Sequence, residues 1–150
     1  MDTYWSRSAR RLAALGALAA VATVLTACGS GGGTPAQVVS VNERDFVIMA
    51  SPKVVDAGDV VFRDHNHGPD AHEMIVARVP GKSGLHLPFR SDGLTVSEEA
   101  LQHATVGALE PGEAGTVREL RVHLAPGRYV LFCNMAGHFM AGMETVVTVR

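Results

Sequence analysis

Residues 129–143 constrain this chain more than any other stretch. They read Tyr-Val-Leu-Phe-Cys-Asn-Met-Ala-Gly-His-Phe-Met-Ala-Gly-Met. An apolar, β-prone run ends in Cys133. Four residues separate Cys133 from His138, and four more separate His138 from Met143. Gly137 and Gly142 stand just before the latter two, where they let the backbone fold tightly. Strands on either side would fix the loop ends, so the three side chains can converge on one point. A buried Cys alone is usually an inert small hydrophobe. Likewise Met143 alone reads as core filler and His138 alone as a loop residue. Their joint spacing argues for a metal site instead. Thiolate and thioether are soft donors that suit Cu(I), and imidazole suits Cu(I) and Cu(II) alike.

A copper site of this kind needs one more donor from elsewhere. Two histidines and a cysteine in a plane, with a weak axial methionine, form the blue-copper arrangement. His72 is preferred as the second histidine. It begins an apolar strand, residues 71–79, and a ligand at the start of a strand is well preorganised. His65 and His67, in the preceding loop, are its rivals. Met135 and Met140 rival Met143, which leads directly into a strand while Met140 sits in a turn. The other histidines are assigned to solvent: His123 on the wet face of a strand and His103 on a helix face. His86 lies in a loop and has no assignment.

The rest of the chain reads as short strands with turn signals between them. Strands are predicted over 38–42, 46–50, 53–55, 60–64, 71–79, 118–124, 129–133 and 143–149. Between residues 80 and 112 the rhythm breaks. That segment is predicted to be a long loop with one short helix over 97–103, Ser97 serving as its N-cap. The expected fold is all-β, a two-sheet Greek-key sandwich.

The first residues belong to another category. Arg7, Arg10 and Arg11 precede an uncharged apolar run over 12–25, the pattern of a secretory signal. Leu25-Thr26-Ala27-Cys28 resembles the lipobox of bacterial lipoproteins. That resemblance implies cleavage after residue 27 and a lipid on Cys28. Residues 28–36 would then be a flexible Gly/Ser-rich leash, and 37–150 the folded domain. From Cys28 onward there are 10 basic and 14 acidic residues, a formal charge of −4. No nucleic-acid footprint is present. The chain has two cysteines. With Cys28 on the leash, Cys133 is a lone thiol in an exported protein, which calls for a reactive or metal-binding role.

Cys133-x4-His138-x4-Met143, with Asn66-x-Gly68-x3-His72 upstream, resembles the cupredoxin family, most closely its rusticyanin and sulfocyanin branch. The signal is concentrated in residues 60–76 and 126–149. Many relatives have Pro before the Gly-His pair, where this chain has Ala136. The resemblance implies one type 1 copper ion held by His72, Cys133, His138 and Met143. It also implies a one-electron carrier, with His138 as the electron exit. Expected partners are redox proteins of a respiratory chain, met as a monomer at a membrane surface outside the cytoplasm. No enzymatic activity is expected, because nothing suggests a second centre or a substrate pocket. The alternative is a surface lipoprotein that sequesters or delivers copper.

Overall fold

The computed structural model describes residues 35–81 and 85–150. The expected signal segment, the lipidated Cys28 and most of the leash lie outside the described residues. The elements are β1 (Gln37–Arg44), β2 (Val47–Ser51), β3 (Val54–Val55), β4 (Gly58–Asn66), β5 (His72–Val79), α1 (Glu98–Leu101), β6 (Thr105–Gly112), β7 (Val117–Leu124), β8 (Gly127–Phe132) and β9 (Glu144–Val149). One sheet has the order β2-β1-β4-β7 and the other β3-β9-β8-β5-β6. Pairing is antiparallel except for β1 with β4 and β3 with β9. The expected all-β sandwich is what forms.

Alternation of side chains explains how the sheets face each other. In β4, Val60, Phe62, Asp64 and Asn66 point inward, with Arg63 and His65 toward the other face. Val39, Val41, Phe62, Met74, Leu131 and Val147 fill the space between the sheets. The apolar runs of β5 and β8 do not alternate, because both faces are buried. Their second face, with Ile75, Ala77, Val130 and Phe132, packs under Leu87, Val96 and Leu101. The segment between β5 and β6 is thus a cover over two central strands. Tyr129 ties β8 to the preceding turn, its hydroxyl donating to the Ala125 carbonyl at 2.9 Å.

Two expectations need correction. The helix spans Glu98–Leu101 and does not continue to residue 103. The Ser97 hydroxyl accepts from the Ala100 N–H as an N-cap should. Leu101 is the residue that anchors this turn under the cover, and the strand β6 begins at Thr105. That strand was expected to be loop. Its sequence, Thr-Val-Gly-Ala-Leu-Glu-Pro-Gly, carries breakers at Gly107, Pro111 and Gly112. An edge strand tolerates them, since only one side must pair. Gly107 is also where β7 crosses closely: a Cβ there would lie 3.0 Å from Leu120 Cδ1 and 3.1 Å from Val122 Cγ1.

Phe62 is fully buried between the sheets, whereas Val117 is 58% exposed. Phe62→Ala is expected to lower unfolding free energy by about 3–5 kcal/mol, and Val117→Ala by no more than about 0.5 kcal/mol. Urea denaturation of the two variants checks this. Similar losses at both positions would contradict the assignment of the core.

Candidate metal centre

His72 is the first residue of β5 and is fully buried. Asn66 builds the loop that delivers it. The Asn66 amide donates to the Asp70 carbonyl at 2.8 Å and the Gly112 carbonyl at 2.9 Å, and its oxygen accepts from Gly68 N at 2.8 Å. Gly68 is glycine because nothing larger fits. A Cβ would meet Asp45 Oδ1 at 2.5 Å and His72 Nε2 at 3.0 Å. The motif Asn66-x-Gly68-x3-His72 is therefore one clasp around one imidazole.

Asp45 Oδ1 lies 3.0 Å from His72 Nε2. A carboxylate there accepts a hydrogen bond from Nε2–H, which keeps the proton on Nε2 and leaves Nδ1 as the lone-pair nitrogen. His72 Nδ1 is buried and has no hydrogen-bond partner in the protein. An orphaned buried acceptor is costly unless something else binds it.

Cys133 follows β8 directly and is fully buried. Burial pushes its thiol up to about 11, although the backbone N–H groups of Met135 and Glu73 oppose the shift by donating to the sulfur. His138 sits on the loop beyond, with Nδ1 3.5 Å from Cys133 Sγ. Burial first, and the His72 imidazole second, lower its proton affinity. Its ring packs edge-on against Phe46, with centroids 5.0 Å apart, and against His72 at 5.2 Å. One donor atom from each of His72, Cys133 and His138 lies within 4.8 Å of the other two.

The loop between Cys133 and Met143 is a compact turn. Gly137 and Gly142 both adopt positive φ, 84° and 95°, which a side chain would resist. Met143 N donates to His138 O at 3.0 Å, and Cys133 N donates to Met143 O at 3.2 Å. These bonds draw Met143 back against Cys133, and its side chain is fully buried among the inter-sheet residues. The rivals lie elsewhere. Met140 is 60% exposed, and Met135 packs against the inter-sheet core. His67 is exposed and bonds Asn42 Oδ1 at 2.8 Å, with the ring of His65 3.7 Å away. The remaining histidines, His86, His103 and His123, are exposed; His123 pairs with Asp59.

Three supporting residues escaped the sequence reading. Asp45 and Phe46 come from the β1–β2 turn, far from the ligand loop, and carry no local signal. Asn134 had one: a polar residue directly after an apolar run and a cysteine. It is buried, accepts from Val96 N at 2.6 Å, and donates to Val96 O and Glu98 Oε1 at 3.1 and 2.9 Å. It pins the cover segment to the ligand loop.

The converging donors, one thiol and two imidazoles, fit a soft or borderline metal ion, and Met143 is buried in the same core cluster as Cys133. With no metal bound, the thiol stays protonated at neutral pH. Iodoacetamide should therefore alkylate Cys133 slowly at pH 7 and faster as pH approaches about 11. The folded thiol holds its proton above the ordinary value of 9.0, so the metal-free fold should lose stability as pH rises from there toward 11. Fast labelling at neutral pH would contradict this burial.

No protein-family model and no curated protein matches the chain. Solved structures do match its backbone. Dithionite-reduced auracyanin from the photosynthetic bacterium Roseiflexus castenholzii aligns with a TM-score of 0.55 at 16% identity, covering 77% of this chain and 98% of that one. Auracyanin B aligns at 0.57 and 21% identity, covering 79% and 91%. Reduced rusticyanin aligns at 0.52 and 15% identity, covering 76% and 80%. All three are cupredoxins, and this chain shares their fold.

Proposed function

We propose that this cupredoxin-fold chain is a one-electron carrier that holds a single copper ion with His72, Cys133, His138 and Met143. The observation that carries the reading is the convergence of His72, Cys133 and His138 donors within 4.8 Å at one end of the sandwich. The orphaned His72 Nδ1 supports it. Copper, when bound, supplies the exchange of one electron between its cupric and cuprous states.

The chain's own residues do the rest. Asp45 fixes the tautomer and orientation of His72. N–H groups of Glu73 and Met135 aim at the Cys133 sulfur and stabilise it once it has lost its proton. Four protein donors leave no open position for a substrate, which favours a carrier over an enzyme. His138 is the ligand nearest solvent. Around it lie Phe46 and Met140, both substantially exposed, and this apolar rim would receive a redox partner.

The sequence supports a placement outside the cytoplasm, with Cys28 lipidated and residues 28–36 as a leash to the membrane. Confinement to that surface would raise the effective concentration of respiratory partners without new contacts. A monomer suffices for this role. The second reading is copper sequestration or delivery, favoured by the exposed Met140 thioether on the ligand loop.

The copper-loaded chain is expected to show an intense visible thiolate-to-copper band and to cycle reversibly with its copper retained. Cys133→Ser should abolish the band. Met143→Leu should keep the colour and raise the reduction potential, while Met140→Leu leaves it unchanged. A colourless chain that surrenders copper readily would favour delivery. A potential that moved with Met140 and ignored Met143 would overturn the axial assignment.

A further inference from the structure

A second buried charged cluster lies at the same end of the sandwich. Glu43 of β1, Asp64 of β4 and Arg118 of β7 all point between the sheets. The two acidic side chains are fully buried and Arg118 nearly so. Arg118 Nη2 reaches Glu43 Oε2 at 3.1 Å and also binds Asp64 Oδ2, which Arg118 Nε contacts at 3.1 Å. Arg118 Nη1 donates to the Glu110 carbonyl. The guanidinium thus serves one oxygen of each acid. The other two, Glu43 Oε1 and Asp64 Oδ1, are buried and have no donor.

Two ionised carboxylates against one guanidinium would bury a net negative charge and two unsatisfied acceptors. Both defects are expensive in a dry interior. Arg118 Nη2 touches both carboxyl groups and so holds them beside each other, where each raises the other's hold on a proton. A single proton held by the pair removes one charge and lets one acid donate to the other.

This cluster adjoins the metal centre through the backbone. Arg118 packs so closely over Gly112 that a Cβ there would lie 2.7 Å from its Cζ, and Gly112 is the residue paired with His72. The Glu43 carbonyl accepts from His67 N at 2.8 Å, and Asp45, two residues on, holds His72. Asp64 and Arg118 face Glu43 from its own sheet; Glu73 acts on it from the other, and Glu43 in turn raises the Cys133 thiol there. β2, on its remaining side, has no titratable residue.

We propose that Glu43 and Asp64 form a proton-binding site linked to the redox state of the metal centre, so that the chain takes up a proton as it accepts an electron. The inference rests on the copper reading above. The electron comes from the reduced partner and the proton from solvent, and both leave on oxidation. Reduction makes the centre one unit less positive, which raises the pair's affinity for a proton. Burial, reinforced by the Asp64 carboxylate and opposed by Arg118, pushes Glu43 up to about 8. The exchange therefore falls in an accessible range.

The test is voltammetry of the copper-loaded chain between about pH 6 and 10, bracketing that value. The potential should fall as pH rises through the window. A tenfold difference in proton affinity between the redox states corresponds to a total of about 59 mV for a one-electron couple. Glu43→Gln and Asp64→Asn should each flatten the profile, and either suffices if the other fails to fold. Reduced-minus-oxidised infrared spectra should show a protonated carboxyl band that Glu43→Gln removes. A flat wild-type profile would sink the inference and leave the copper reading intact. So would a pH dependence that survives both variants and disappears in Glu73→Gln. A chain that took up no copper would remove both readings together.

Discussion

The centre depends on keeping one sulfur atom out of water. Cys133 stands where β8 ends, at the limit of the inter-sheet core, and its burial works in two directions. It makes the bare thiol a poor nucleophile and a reluctant acid, held up at about 11. It also leaves the sulfur among oriented donors, the backbone N–H groups of Met135 and Glu73, which favour the anion once a cation displaces the proton. The neighbouring imidazoles share this logic. His72 is stripped of solvent and bonded through Nε2 to Asp45, which leaves its buried Nδ1 with no partner in the protein. Protons and metal compete for the same few lone pairs, and the fold biases that competition.

Much of this was legible in the linear chain. The alternation in β4 and β7, the turn residues between strands, and the Cys-x4-His-x4-Met spacing all express local physics: period-two burial, backbone freedom at glycine, and ligand softness. The preference for His72 over His67 also followed from a local argument, the stiffness of a strand start. The structure buries the former and leaves the latter exposed. What escaped was what depends on distant neighbours. β6 reads as loop because Gly107, Pro111 and Gly112 are turn formers, yet Gly107 is required by β7 crossing above it. Asp45 and Phe46 join the site through a turn 27 residues before His72 in the case of Asp45. No pattern within either segment announces the meeting.

Glu43 and Asp64 illustrate the same limit. In sequence they follow Val39 and Val41 in β1 and Val60 and Phe62 in β4 at the alternate, inward positions, where a charge looks like a violation of the pattern. Only the pairing of β1 with β4 and β4 with β7 brings Arg118 to them. Natural folds tend to break their own rules at functional places. Here the exception lies near the candidate metal centre, Asp64 standing two residues before Asn66, which builds the clasp around His72.

The cover segment has a mechanical consequence. Asn134 binds Val96 and Glu98, and Leu94 O accepts the N–H of Gly137, the residue before His138. Leu94 and Phe89 are exposed on the outer side of that same segment, and Phe89 stacks near Phe139 with centroids 5.6 Å apart. A displacement of Leu94 would therefore be felt, through one backbone hydrogen bond, at the residue beside His138. The cover is thus a brace as well as a shield: the turn that carries His138 is held from outside by the segment that closes over β5 and β8.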